Sequence, residues 1–210
     1  MWLKKIHFSS HKLRWRLIII FILLVLAVMV TAGTILLNNI RSIYREQFKD
    51  TMNSEFGGGM ANTLTMALSE ENPDLGILKV METYSLNRLG INANRNYYIL
   101  KGDTSECIGS SLEIVDELDI TENIITAMSG SVGDKIYPQA DYMDYAYPVK
   151  GKDSVKYIVY IKDNKEDVSS VTEKMVGVIS QSVLYGAIFA IIIGILLSNT
   201  ITRPIRNLTL

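Results

Sequence analysis

LIIIFILLVLAVMVTAGTILL, residues 17–37, contains no charged side chain, and this stretch decides the class of fold to which the chain belongs. A helix rises about 1.5 Å per residue, so a stretch of this length spans roughly 30 Å, the thickness of the hydrocarbon core of a bilayer. A second uncharged stretch lies between Lys174 and Arg203, with its apolar centre VLYGAIFAIIIGILL at residues 183–197. Both are predicted to be transmembrane helices, because a helix in the core of a soluble protein rarely stays apolar on every face for so long.

Charge divides the rest of the chain into two kinds of segment. Residues 1–16 carry five basic side chains and residues 199–210 carry two, and neither segment contains an acid. Residues 38–177 carry the remaining 14 basic residues and all 22 acidic ones, a net charge of −8. Because short basic flanks stay on the cytoplasmic side of a membrane, both termini are predicted to be cytoplasmic and the acidic middle segment extracytoplasmic. An acidic extracytoplasmic domain argues against nucleic acid as a partner.

The predicted organisation has five parts. The long apolar region of the first span, with no clean small-residue cleavage site after it, favours an uncleaved anchor over a signal peptide. The parts are a basic cytoplasmic tail (1–16), a transmembrane helix (17–37), an extracytoplasmic domain (38–177), a second transmembrane helix (178–198) and a cytoplasmic junction (199–210).

The sequence contains no recognisable motif for catalysis or metal binding. Cys107 is the only cysteine, so the middle segment forms no intrachain disulfide and depends on its own hydrophobic core. The two histidines, His7 and His11, lie in the predicted tail. No zinc-ligand spacing, P-loop, nucleophile elbow or calcium loop is found, so we predict no catalytic residue, no metal site and no cofactor in these 210 residues.

Apolar residues recur every four positions from Ile40 to Leu68, which predicts one face of an amphipathic helix after the first span. Gly57, Gly58 and Gly59 interrupt this helix, at a cost on the order of 3 kcal/mol relative to three alanines. The glycines form either a hinge or an ordinary break between two helices.

The remainder of the middle segment predicts an α+β fold. A helix begins at Pro73, and its apolar side is formed by Leu75, Leu78, Met81 and Leu86. Branched and aromatic residues predict strands at 96–100, 107–111, 142–149 and 155–161, with a short helix over 121–128. Asp163 or Asn164 is expected to cap the last helix. The expected fold is a long N-terminal helix, a small antiparallel sheet with a helix across it, and a helix that returns to the membrane.

ITRPIRNLT, residues 201–209, resembles the start of a HAMP linker, the cytoplasmic coupling module of two-pass bacterial sensors. The matching residues are Ile201, Arg203, Pro204, Ile205 and Leu208. The resemblance implies that Arg203, Pro204 and Ile205 transmit a signal, and the three glycines are a further candidate from their position. Since Pro204 lacks a backbone donor, we expect a new helix to start there, with its register uncoupled from that of the membrane helix.

Three segments of the middle part resemble the extracytoplasmic PAS-like domains called single Cache domains. They are YYILKGDTSECIGSS (97–111), TENIITAMSGSVG (121–133) and YAYPVKGKDSVKYIVYIKD (145–163). With the HAMP-like end, the chain is most similar to sensor histidine kinases of Gram-positive bacteria, including those that govern cell-wall metabolism. The resemblance implies a homodimer in the bacterial cell membrane and an unknown extracytoplasmic ligand or protein. It also implies a catalytic half after Leu210 that uses ATP and Mg²⁺ and phosphorylates a response regulator.

Other classes of protein share these features. The input half of a methyl-accepting chemoreceptor or of a membrane diguanylate cyclase combines the same parts. A membrane-anchored extracytoplasmic interaction module is a third alternative, and the HAMP-like end fits it least.

RNYY, residues 95–98, resembles the cluster with which some larger Cache domains hold an amino acid. An arginine binds a carboxylate with two hydrogen bonds, while aromatic faces and a nearby acid accept an ammonium group. The candidate ligand-binding residues are Arg95, Tyr97, Tyr98, Tyr142 and Asp144. If Arg95 serves only a ligand, Arg95→Ala should leave the stability of the unliganded domain nearly unchanged.

Overall fold

The computed structural model describes the backbone of residues 3–85, 87–113 and 118–207, and the side chains of residues 15–16, 18–85, 87–113 and 118–196. The chain divides into two compact units. We call residues 1–40 with 170–210 the helical unit, and residues 41–169 the folded unit. The predicted domain boundaries at 38 and 177 stay a prediction.

The described backbone contains five helices and four strands. The helices are α1 (Leu3–Phe56), α2 (Gly59–Ala67), α3 (Pro73–Ser85), α4 (Glu122–Met128) and α5 (Glu166–Asn207). The strands are β1 (Arg95–Lys101), β2 (Cys107–Ser110), β3 (Met143–Lys150) and β4 (Val155–Asp163). The predicted α+β class with a small antiparallel sheet is confirmed.

Two long apolar helices form the helical unit, and by length and composition both could span a membrane. Their apolar side chains are largely exposed, as at Leu23, Val30 and Phe189, each more than half accessible. A helix buried in a soluble core would hide such side chains, so the exposed surface is compatible with a lipid environment.

Glycines lie where the two apolar helices approach each other within the helical unit. A Cβ atom added to Gly33 would lie 3.0 Å from the Cγ2 of Ile179, and one added to Gly186 would lie 2.5 Å from the Sδ of Met29. Small residues at such contacts allow helix backbones to pack closely.

The sheet of the folded unit has the strand order β2-β1-β4-β3, with every pair antiparallel. Tyr97, opposite Ile161, belongs to one hydrophobic cluster, whereas Tyr98, opposite Tyr160, belongs to another. Because successive side chains of a strand point to opposite faces, the two clusters cover the two faces of the sheet. We call them the α1 face and the α4 face after the helix that packs on each.

The α1 face holds the larger core. The predicted period-four stripe supplies it: Phe48, Met52, Phe56, Met60 and Leu64 are all buried. The ring of Phe56 stacks on those of Tyr145 and Tyr147, with centroids 5.3 and 4.8 Å apart. Burial of large aromatic and apolar side chains supplies most of the stability of such a core.

The predicted apolar side of the third helix is wrong in part. Ile77, Val80 and Met81 are buried, whereas Leu75 is 52% exposed. The spacing of Leu75, Leu78 and Met81 predicts that Leu75 is buried, but the helix is rotated so that Ile77 and Met81, four positions apart, face the core. Leu86 lies outside the described residues.

The predicted start of a new helix at Pro204 is also not observed. α5 is continuous from Glu166 to Asn207, so Pro204 lies within it. An interior proline removes one helical hydrogen bond at a cost of about 3 kcal/mol, which a long helix can sustain.

Candidate functional site

The guanidinium group of Arg95 is occupied by contacts within the protein. Its Nε donates to Oδ2 of Asp163 at 2.9 Å, and its Nη1 donates to the carbonyl of Leu89, also at 2.9 Å. The guanidinium carbon lies 5.1 Å from the ring centroid of Phe48. These contacts leave Arg95 as part of the α1-face core rather than as a free group aimed at a ligand.

Asp163 is the centre of this arrangement, and its side chain is 1% exposed. Besides Arg95, it accepts the hydroxyl of Tyr44 at 3.1 Å and the backbone N–H of Lys165 at 2.8 Å. Burial, and then the charge of Asp163, raises the pKa of Tyr44 to about 12. We call Tyr44, Arg95 and Asp163 the carboxylate joint.

The carboxylate joint connects three elements of the folded unit. Tyr44 comes from α1, Arg95 begins β1 and Asp163 ends β4, while α5 begins at Glu166. The side chain of Asn164 accepts the N–H of Glu166 at 3.0 Å. Both residues predicted as caps therefore make their hydrogen bonds immediately before α5.

The second group of predicted ligand residues lies on the α4 face. Asp144 is buried, and its carboxylate accepts the Oγ1 of Thr121 at 2.7 Å and the Nδ2 of Asn123 at 2.8 Å. The ring of Tyr142 lies 4.9 Å from the Nζ of Lys162. Within the described side chains, no cation lies within 4.0 Å of the Asp144 carboxylate, so neutral donors satisfy it.

The structure therefore does not bring the five predicted ligand residues together. Arg95 and Tyr97 belong to the α1 face, and Tyr98, Tyr142 and Asp144 to the α4 face. Burial raises the pKa of Tyr97 and also that of Tyr142. Strand alternation was the signal that could have separated Tyr97 from Tyr98 before the structure was known.

The three glycines lie at the break between α1 and α2. The N–H of Gly57 donates to the carbonyl of Asn53 at 2.8 Å, and a Cβ at this position would lie only 2.6 Å from that same oxygen. An added Cβ at Gly59 would meet nothing within 4 Å. A glycine is therefore needed at position 57, where the first helix ends, and not at position 59.

The remaining predicted residues add no second site. Arg203, Pro204 and Ile205 belong to the backbone of α5, but their side chains lie outside the described residues. Among the side chains that the structure describes, no cluster of three or more His, Cys, Asp or Glu residues is suited to a metal ion. Cys107 is half-buried, with its Sγ 3.4 Å from the carbonyl of Gly109.

Comparison with known proteins adds no family. No protein-family model matches the chain, and no curated protein is significantly similar to it.

Proposed function

We propose that the chain is the signal-sensing and transmission part of a two-pass membrane receptor, specifically of a sensor histidine kinase. The proposal places the folded unit outside the cytoplasm as a single Cache domain and both termini inside. The receptor is a homodimer in the bacterial cell membrane. Its catalytic half uses ATP and Mg²⁺ and acts on a response regulator.

The carboxylate joint is the observation that supports this proposal most directly. It connects Tyr44 of α1 to Asp163, the last residue of β4. Only Asn164 and Lys165 separate Asp163 from the start of α5. α1 and α5 are also the two helices that could span a membrane. A ligand that displaces β1 or β4 therefore acts on α1 through the hydrogen bonds of Asp163 and on α5 through the two residues that follow Asp163, in a unit with its own core.

The topology is tested with a chain in which Cys107→Ser removes the native thiol. Single cysteines are then introduced by Lys5→Cys, Lys135→Cys or Lys152→Cys, of which the last two replace exposed side chains. An impermeant thiol reagent applied to intact cells should label positions 135 and 152 but not position 5. Labelling of position 5 alone would reverse the orientation and refute the sensor proposal.

The class of output domain is tested by sequencing the part of the gene that encodes the residues after Leu210. A histidine followed by Glu or Asp and an Arg-Pro pair supports the kinase. A Gly-Gly-Asp-Glu-Phe motif supports a cyclase, and a long methylatable coiled coil supports a chemoreceptor. Either of the last two results would contradict the kinase proposal and leave the transmission role in place.

A further inference from the structure

A cavity of about 770 Å³ lies at one end of the sheet in the folded unit, away from the predicted ligand residues. The β3–β4 turn forms one wall, the β1–β2 turn forms another, and the segment that joins α2 to α3 forms the third. Binding sites for small molecules typically have volumes of about 300–1,000 Å³, so this cavity is large enough for an organic ligand.

Backbone contacts hold the walls of the cavity in place. The N–H of Gly151 donates to the carbonyl of Ser154 at 2.9 Å and closes the β3–β4 turn, and the N–H of Gly102 donates to the carbonyl of Lys156 at 2.9 Å. An added Cβ at Gly102 would lie 2.3 Å from the carbonyl oxygen of Val155, so the turns approach closely. The hydroxyl of Tyr157 donates to Asp74 and fixes the start of α3.

The charge of the cavity is opposite to that of its surroundings. The lining contains four lysines (Lys101, Lys150, Lys152 and Lys156) but only two acids, Asp103 and Asp153. Residues 38–177 as a whole carry a net charge of −8. Lys101 pairs with Glu106 at 3.4 Å. Among the described side chains, the other three lysines form no ion pair, so their charges are available to a ligand.

The position of each lysine decides which of them to test. The Nζ of Lys150 lies 3.7 Å from the position that a Cβ would take on Gly130, so this side chain extends towards the end of α4. Lys152 lies on the β3–β4 turn and Lys156 is the second residue of β4, and both side chains are exposed. These two are therefore the primary candidates for contact with a ligand.

The side chains favour phosphate over carboxylate as the group that is bound. Lysine acts as a compact point charge suited to phosphate, whereas the planar fork that recognises a carboxylate belongs to arginine, and no arginine lines the cavity. The hydroxyl groups of Ser69 and Ser154 in the lining can donate to the remaining phosphate oxygens, whereas the hydroxyl of Thr65 donates to the carbonyl of Ala61 at 2.9 Å.

We propose that this cavity binds a phosphate-bearing molecule larger than orthophosphate, such as a diphosphate or a phosphodiester. The site is separate from the carboxylate joint and from Asp144. Binding is a property of the folded unit, so it does not depend on the proposed receptor function, and either proposal can fail without the other.

The test is a calorimetric titration of the full chain, in an uncharged detergent, with inorganic pyrophosphate and with citrate at matched low ionic strength. Lys152→Gln/Lys156→Gln is compared with Lys79→Gln/Lys174→Gln, which removes the same charge from exposed positions outside the cavity. Loss of two nearby charges should weaken pyrophosphate binding about tenfold or more in the cavity variant, and less than about twofold in the control. Thermal unfolding checks that both variants are folded.

Three results would overturn the proposal: no pyrophosphate binding by the unmodified chain, equal weakening in the two double variants, or citrate binding as tight as pyrophosphate binding. A lipid headgroup and a soluble phosphate share the proposed chemistry. Because phosphatidylcholine is itself a phosphodiester, the titration in a detergent without phosphate is compared with titrations in nanodiscs of phosphatidylcholine, with and without phosphatidylglycerol, to separate these sources. Competition by phosphatidylglycerol supports a headgroup as the ligand, and unchanged affinity supports a soluble molecule.

Discussion

Two buried carboxylates, one on each face of the sheet, are stabilised in different ways. Asp163 lies on the α1 face and is paired with the charged Arg95. Asp144 lies on the α4 face and accepts hydrogen bonds from Thr121 and Asn123, which are neutral. Met143 is the residue that pairs with Asp163 in the sheet, so the two acids lie at neighbouring positions of the ladder.

The two carboxylates differ in how far apart in the sequence their hydrogen-bond partners lie. The donors to Asp144 come from the start of one short helix, where Thr121 also accepts the N–H of Ile124 at 3.3 Å and caps α4. Asp163 instead joins α1, β1 and the residues before α5. Loss of the first group should loosen one helix, whereas loss of the second should separate elements that are distant in sequence.

The largest effect is expected from Arg95→Ala. Removing one partner of a buried ion pair leaves an uncompensated charge, which typically costs about 3–5 kcal/mol. The free energy of unfolding of the full chain should fall by about this amount. It is measured by guanidinium denaturation, followed by the near-UV circular dichroism of the tyrosines. A nearly neutral substitution is expected only if Arg95 serves a ligand alone.

Arg88→Ala is the matched control. Arg88 is 59% exposed and lies 3.5 Å from Glu55, and an exposed pair of this kind contributes at most about 1 kcal/mol. If Arg95→Ala costs no more than Arg88→Ala, the carboxylate joint is not a structural centre and Arg95 is again free to serve a ligand.

Local patterns in the sequence predicted most of the folded unit. Branched and aromatic residues in NYYIL and YIVYI located β1 and β4, and the helix predicted over 121–128 corresponds to α4. The helix break at the glycines followed from the cost of glycine in a helix. Each of these features depends on residues within a few positions of one another.

Features that depend on distant residues were not predictable. Arg95 and Asp163 are 68 positions apart, and no spacing rule connects them. The cavity is formed by three separate segments, so the cluster of lysines at 150–156 did not by itself predict a site. The rotation of α3 that exposes Leu75 likewise goes with the burial of Ile77 and Met81 in a core to which α1, α2 and the sheet all contribute.

An intermediate effect is expected at Asp144. Asp144→Ala leaves the hydroxyl of Thr121 and the amide of Asn123 buried without this acceptor, at a cost of about 1–3 kcal/mol. Asp144→Asn keeps one carbonyl oxygen and should cost less, because Asp144 has no cationic partner to lose. Hydrogen exchange should show the loss of protection mainly in α4. Equal loss of protection in α1 would mean that the two faces of the sheet are not independent.

The smallest effect concerns pH and Tyr44. Burial, followed by the charge of Asp163, raises the pKa of Tyr44 to about 12, while Arg95 acts in the opposite direction. An unfolded tyrosine titrates near pH 10, so between about pH 10 and pH 12 the unfolded chain releases this proton and the folded chain retains it. The stabilisation by Tyr44 is therefore complete below pH 10 and is lost as the pH rises towards 12.

Tyr44→Phe should lower the free energy of unfolding at pH 8 through loss of the hydrogen bond to Asp163. The difference in this free energy between the variant and the unmodified chain should shrink between pH 10 and pH 12. Denaturation curves that stay a constant distance apart from pH 8 to pH 12 would show that Tyr44 is not coupled to the buried carboxylate.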